Sequence, residues 1–366
     1  MNDRHKKTRL LRAFTMAGEI DGDAIEEAAR ILHSGGLVAF PTETVYGLGA
    51  DATNPDAVAG IFAAKERPYS DPLIVHLADT GALPEVAAEI PSEALVLAER
   101  FWPGPLTLIL PRAEAIPAVI AAGGATVGVR VPAHPVALAL LRAADVPVAA
   151  PSANRFMHTS PTTAEHVLAD LDGRIDCVLD AGPTTVGVES TVLDILARPP
   201  RILRPGGVTL EALCDVLPDV QGPAAPASRA QATADHQNDA VIAPAPGQLE
   251  RHYAPRTRLL VFDASGGVAL AAIRAEAEAA LARGERVGAL LPDDEADALA
   301  LPDVAVARLG SSDDLPAISR SLYAALRALD AQHLDIILTH TFGMEGLGLA
   351  LWDRLRRAAG GQMRTV

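Results

Sequence analysis

The chain reads as two α/β units: a larger one built on a twisted mixed sheet with helices packed against it, then a smaller one built on parallel strands. Three observations carry this reading. Strand and helix patterns interleave through the first part of the chain without strict alternation, which argues for a mixed sheet. Residues 218–247 then lose all periodicity and become dense in Pro, Ala, Gln and Asp, as a linker does. Beyond them strands and helices follow one another in the rhythm of a parallel layer. A length of 366 residues favours two domains, and an apolar fraction of 49% suffices for packed cores.

The elements follow from periodicity. Ile25, Ala28, Ala29 and Leu32 recur at helical spacing and place a helix over 23–33. Further helical patterns fall at 55–65, 92–100, 135–143, 162–170 and 209–216. Short apolar runs mark strands at 37–40, 72–77, 106–110, 126–131, 147–150, 176–179, 191–196 and 201–203. After the linker, strands are expected at 258–262, 286–291, 304–309 and 334–339, with helices over 268–282, 313–329 and 349–359. The expected division is a first domain over 15–217, a linker over 218–256 and a second, Rossmann-like domain over 257–366. A flexible linker of about 27 residues has a root-mean-square span of roughly 30 Å, enough to reach back across a small domain.

Bulk properties narrow the function. The formal net charge of −15 disfavours a large direct nucleic-acid surface. Two cysteines, Cys177 and Cys214, are too few for a disulfide framework or a four-sulfur metal site. The basic N-terminus, Arg4 to Arg12, is followed by no apolar stretch of the secretory kind, and no run of eighteen apolar residues predicts a membrane span. A reducing cytoplasm is the expected location. The second unit has no complete G-x-G-x-x-G after a strand; Gly343, Gly346 and Gly348 have the wrong spacing. Nor is there a G-x-x-x-x-G-K-[ST], an H-E-x-x-H or a pair of C-x-x-C motifs.

The most informative stretch is Gly35–Gly49. The apolar run Leu37–Phe40 stops at Pro41, which cannot continue a central strand. Thr42, Glu43, Thr44 and Tyr46 follow, closed off by Gly47 and Gly49. Hydroxyls and glycines at a strand exit are where an α/β protein holds a ligand, although the same residues also make an ordinary polar turn. Other motifs follow in order: Lys65-Glu66-Arg67-Pro68, Asp71 to His76, Thr126 to Pro132, Pro151-Ser152-Ala153-Asn154, Ser160-Pro161-Thr162, Glu189-Ser190-Thr191 and Arg204-Pro205-Gly206-Gly207.

In this order and spacing the motifs resemble the YrdC family, and most closely its long form, the threonylcarbamoyl-AMP synthases. The resemblance covers roughly 15–215. It extends to the extra domain of the long form through Gly346-Leu347-Gly348-Leu349-Ala350-Leu351-Trp352-Asp353-Arg354-Leu355. It implies a YrdC-like sheet curled around an open cavity, and condensation of L-threonine, bicarbonate and ATP to threonylcarbamoyl-AMP and pyrophosphate. Mg²⁺ is the implied ion, held through the phosphates and not by a dedicated metal centre. The implied partner is a downstream transfer-RNA threonylcarbamoyl transferase complex, with weak or no direct contact to the RNA and none to a membrane.

The resemblance also implies roles for residues. Lys65, Arg67 and Arg204 would grip phosphates, since Arg offers a planar fork to phosphate oxygens. Asp71, Thr126, Ser152, Asn154 and Ser160 would complete the nucleotide site. Thr44, His76, Arg130, Ala150 and Ser190 would hold threonine, with Arg130 forking its carboxylate and Ala150 contributing backbone only. Tyr253, in His252-Tyr253-Ala254-Pro255, would come back from the linker as a latch over the nucleotide. Two positions depart from the family pattern: Asp71 stands where Asn is common, and Met157 stands near an expected Gly. A carboxylate beside phosphates is unfavourable unless a metal ion or Arg67 offsets it. Alternative readings are a double-stranded-RNA-binding module without catalysis, a carbamoyltransferase-type adenylating enzyme, and a regulatory sensor of threonine or nucleotide.

Overall fold

The computed structural model describes residues 7–224 and 249–366. The first unit is a ten-stranded mixed sheet formed by β1 (Arg9–Arg12), β2 (Val38–Phe40), β3 (Gly47–Asp51), β4 (Ile74–His76), β5 (Leu106–Pro111), β6 (Thr126–Arg130), β7 (Val148–Ala149), β8 (Cys177–Asp180), β9 (Thr191–Asp194) and β10 (Arg201–Arg204). Their spatial order is β1-β8-β2-β3-β7-β4-β6-β5-β9-β10. Parallel and antiparallel pairs mix as expected: β4 runs parallel to β6, while β7 runs antiparallel to both β3 and β4.

Helices cover this sheet: α1 (Gly22–His33), α2 (Pro55–Lys65), α3 (Leu83–Val86), α4 (Ser92–Phe101), α5 (Pro135–Ala144), α6 (Ala164–Leu171) and α7 (Leu210–Cys214). Their ends follow local chemistry. Asp21, Asn54 and Thr163 each cap a helix by accepting a backbone N–H of the first turn, and Pro55 and Pro135 occupy first-turn positions where a missing N–H costs nothing. Two large apolar cores and a small third cluster at Ile74, Ile109 and Val192 result among the described residues. One large core joins Leu48, Ile61, Phe62, Val75, Leu108 and Val129; the other joins Ile25, Leu32, Phe40, Leu140 and Leu179.

The second unit is a five-stranded, all-parallel sheet of β11 (Arg258–Asp263), β12 (Val287–Leu291), β13 (Val304–Arg308), β14 (Ile336–His340) and β15 (Met363–Thr365), in the order β13-β12-β14-β11-β15. Its helices are α8 (Gly266–Ala282), α9 (Asp293–Leu299), α10 (Leu315–Asp330) and α11 (Leu347–Ala358). Its core does not stop at the domain boundary. Leu322, Tyr323, Leu326 and Leu351 form one apolar cluster with Val45, Val188 and Tyr253. The two units therefore meet over the segments that carry the ligand motifs.

The structure draws the first unit wider than 15–217. β1 pairs in parallel with β8 from Arg9↔Cys177 onward, and Gln221 bridges Arg201. Most of the linker expectation falls on residues 225–248, which lie outside the described residues. Its described end, 249–256, is packed in, with His252, Tyr253 and Ala254 buried. Among the described residues no helix is long and apolar enough to cross a membrane.

Candidate functional site

The site is built where several strand exits converge. In the parallel register of β4 and β6, His76 and Arg130 are direct partners. Thr42, after Pro41, turns the exit of β2: its hydroxyl donates to the Val45 carbonyl at 2.6 Å and lies 2.7 Å from the Thr44 hydroxyl. That turn brings the Thr44 Oγ1 to 3.0 Å from Arg130 Nη1. Arg130 is buried and further fixed by Glu43, whose Oε1 accepts from Nη2 at 2.5 Å, and by the Gly104 carbonyl. Glu43 also accepts the Ala133 N–H at 3.1 Å. The guanidinium is thus paired with Glu43 and fixed in place, and its remaining N–H groups have the chemistry to fork a further carboxylate, the role the resemblance implies.

A narrow cavity of about 50 Å³ opens between these residues; Thr44, His76, Arg130 and Ala150 line it together with Arg67, Ser152, Arg204, Glu189, Ser190 and Tyr253. All five residues expected to hold threonine line it. Of those expected to hold nucleotide, Arg67, Ser152, Arg204 and Tyr253 line it as well. Arg204 donates from Nε and Nη2 to the Ser190 carbonyl at 3.2 and 2.9 Å, so the phosphate-side and threonine-side candidates are mechanically joined. Ser190 is also tied to Thr107 through their hydroxyls at 2.8 Å. Gly206 is what permits this: a Cβ there would fall 2.3 Å from the Glu189 carbonyl oxygen.

The remaining candidates stand around the cavity, outside its lining. Lys65 lies fully buried at the end of α2 and donates Nζ to the carbonyls of Ser152 and Asn154. Burial and the neighbouring Arg67 push its ammonium well below the usual lysine range. In this state it supports the 152–154 loop from beneath. Asn154 donates to the carbonyls of Arg155 and His158, both at 2.8 Å, and so shapes the same loop. Ser160 donates to Glu189 Oε1 at 2.5 Å, and Thr126 opens β6 opposite Pro111.

The two departures have structural answers. Asp71 Oδ2 lies 2.9 Å from Arg67 Nη2, so the carboxylate is offset by the arginine. Arg67 also donates to the carbonyls of Asp71 and Pro72. Met157 adopts φ +69°, a left-handed conformation natural to glycine, and its carbonyl accepts the Ala254 N–H at 2.9 Å. The local backbone is kept, at a cost in strain.

Several buried polar atoms at the cavity have no partner in the protein: His76 Nδ1, His252 Nδ1 and Tyr253 Oη. Such atoms are costly unless a ligand or water satisfies them. Burial, then the charge of Arg130, drives the His76 pKa down to about 3, so the imidazole is neutral. Burial, then Arg67, also pushes the His252 pKa well below the usual histidine range. Burial and the nearby Glu189 raise the Tyr253 phenol, which stays protonated.

Sequence reasoning missed four participants. Glu43 and Glu189 stood inside quoted motifs without a role. Tyr323 and Arg354 come from the second unit, where Arg354 Nε reaches Glu189 Oε2 at 2.6 Å and the Tyr323 hydroxyl donates to the same oxygen at 3.0 Å. A buried carboxylate needs such partners, which was the one available hint for Glu189. Burial alone would raise its pKa; Arg354 and Arg204 outweigh this and bring it down to about 2.

Comparison with known proteins places the chain. Residues 30–206 match the Sua5/YciO/YrdC family model, described as telomere recombination, and residues 208–360 match the model described as threonylcarbamoyl-AMP synthase, C-terminal domain. The threonylcarbamoyl-AMP synthase of Pyrococcus abyssi is 43% identical over 92% of this chain and 94% of its own length. That of Bacillus subtilis is 42% identical over 93% of this chain and 94% of its own. The crystal structure of P. abyssi Sua5 complexed with L-threonine superposes with a TM-score of 0.88 at 40% identity, covering 98% of this chain and all of that one (100%).

Proposed function

Because this chain belongs to the threonylcarbamoyl-AMP synthase family in its two-domain form, we propose that it condenses L-threonine, bicarbonate and ATP to threonylcarbamoyl-adenylate and pyrophosphate. The observation that supports this reading is that one cavity is lined by three buried arginines, Arg130 for a carboxylate and Arg67 and Arg204 for phosphates. A cavity of this volume suits small substrates, not an RNA duplex.

The chemistry follows from the lining. Arg130 receives the threonine carboxylate, and the hydroxyls of Thr44 and Ser190 meet its polar groups. Neutral His76 offers a free ring nitrogen that accepts a hydrogen bond from the threonine amine or hydroxyl. The unprotonated amine attacks the carbon of bicarbonate; a C–N bond forms, water leaves, and a carbamate results. A carbamate oxygen then attacks the α-phosphorus in line, the bond to the bridging oxygen breaks, and pyrophosphate departs with the electron pair. Arg67 and Arg204 stabilise the charge that develops on the phosphates, with Lys65 and Asn154 holding the Ser152 loop in place. The closed site keeps water from a carbamate that is labile in it.

An adenylating enzyme that uses ATP calls for a divalent metal, and Mg²⁺ is the ion proposed. Among the described residues no three His, Cys, Asp or Glu gather as a metal centre, and the nearby Asp71 carboxylate is paired with Arg67. The ion would be bound mainly through phosphates and water and would neutralise charge on the leaving pyrophosphate. The product would pass to a partner enzyme that modifies an adenosine of transfer RNA in the cytoplasm, without this acidic chain gripping the RNA.

The test is to incubate the purified chain with ATP, Mg²⁺, bicarbonate and isotope-labelled threonine. A threonine-bearing adenylate is expected by mass spectrometry. Consumption of ATP with no such product overturns the reading.

A further inference from the structure

A chain of contacts runs from the cavity into the second unit along α11. Glu189, which lines the cavity, accepts from Arg354 Nε at 2.6 Å. Arg354 also donates to the Pro205 carbonyl at 3.0 Å, beside Arg204, and its guanidinium lies 4.9 Å over the Tyr253 ring. It pairs with Asp353 Oδ2 at 2.7 Å; Asp353 Oδ1 holds Arg357 at 2.9 Å; Arg357 donates to the Leu249 carbonyl at 2.8 Å, and its own carbonyl accepts the His252 N–H at 3.2 Å. Tyr323 on α10 stacks on Tyr253 at 6.0 Å and donates to Glu189. One helix of the second unit thus touches the buried carboxylate and both ends of the latch.

The electrostatics give this contact a purpose. A triphosphate entering beside Arg67 and Arg204 would meet the carboxylate of Glu189, and like charges at short range in a buried site repel strongly. Arg354 supplies the opposite charge from behind. We infer that Arg354, although it does not line the cavity, is a positioning residue for the nucleotide: it cancels the charge of Glu189 and seats the Tyr253 ring over the site. The second unit would then be a working half of the ATP pocket. This rests on the function proposed above.

The experiment uses the full-length protein and measures equilibrium binding of ATP with Mg²⁺, and of L-threonine, by calorimetry. R354A is expected to weaken ATP by about tenfold or more and threonine by less than about threefold, in keeping with loss of a buried charge-assisted contact. R354K keeps the charge without the fork or the flat face and should recover part of the loss. The decisive variant is R354A/E189Q. If Arg354 acts by neutralising Glu189, removing both charges restores ATP affinity towards that of E189Q alone. A double variant no tighter than R354A reduces Arg354 to packing and overturns the inference. Should R354A fail to fold, R354Q, which keeps much of the side chain without the charge, carries the test: an ATP affinity equal to that of the wild type overturns it. A wild type that binds no ATP would remove the proposed function and this inference together; a wild type that binds ATP beside an equally tight R354A removes the inference alone.

Discussion

Gly187 meets Ser319 across the domain boundary more closely than a side chain would allow. A Cβ on Gly187 would fall 2.3 Å from the Ser319 carbonyl oxygen, and the residue sits at φ +84°. The Ser319 hydroxyl donates to the Val186 carbonyl at 2.7 Å. The same loop also binds the turn after β2: the Thr185 and Val186 N–H groups donate to the Glu43 carbonyl, and that of Gly187 to the Thr44 carbonyl. The second unit is therefore bolted to the loop that frames the threonine-side residues.

Replacing Gly187 with Ala should push the units apart. Strain at the positive φ and the clash with backbone predict a destabilisation of about 2–4 kcal/mol and a raised KM for threonine. Thermal melting and steady-state kinetics check both. A variant with the melting temperature and threonine KM of the wild type would show that the contact is unimportant.

The two arginines proposed for the phosphates should separate by their neighbours. Among the described residues Arg67 binds Asp71 and Pro72 of its own loop, whereas Arg204 holds the Ser190 backbone. Arg67→Ala should weaken ATP roughly tenfold to a hundredfold and spare threonine, while Arg204→Ala weakens both. Separate binding titrations for each ligand distinguish the two patterns.

Tyr253 contributes in two separable ways. Tyr253→Phe removes only the unpartnered hydroxyl and should cost ATP binding about threefold to tenfold. Tyr253→Ala also removes the ring held between Arg354 and Tyr323 and should cost about tenfold more. Equal losses in the two variants would mean that the ring does no latching.

Acid should unfold the protein in two overlapping stages. His76 is held neutral, its pKa lowered from 6.5 to about 3, so the unfolded chain binds the extra proton and stability falls as pH drops from about 6.5 towards 3. Glu189 is held ionised, lowered from 4.5 to about 2, and its contribution is lost between those values as pH falls. Melting temperature against pH should fall below about pH 6.5, and His76→Asn should flatten the upper part of that fall. His166, lowered to about 4, adds to it with the same sign. A melting temperature that holds steady from neutral to pH 4 in the wild type would contradict this account.

Much of the cavity was legible because its residues sit at strand exits next to prolines and glycines. Arg67 and Arg204 each precede a proline, and Thr44 follows one closely; such punctuation shows in one dimension. Lys65 was legible as a cation but not as a buried one, since only the fold puts the 152–154 loop over it. β3 was missed because Gly47-Leu48-Gly49-Ala50-Asp51 lacks the β-branched and aromatic residues that mark strands. β1 was missed because Arg9-Leu10-Leu11-Arg12 has neither strand-type alternation nor β-branched residues; pairing with β8 makes it a strand. Contacts of Glu189 with Tyr323 and Arg354 join residues over a hundred positions apart, and no local pattern encodes such a pairing.

The most direct test is the rate of pyrophosphate release by the full-length protein with ATP and Mg²⁺, with threonine and bicarbonate each supplied or withheld. If one cavity holds amino acid and nucleotide together, release should need both and stop when either is left out. Release that continues at the same rate without threonine, or without bicarbonate, would contradict a shared site and the reaction proposed for it.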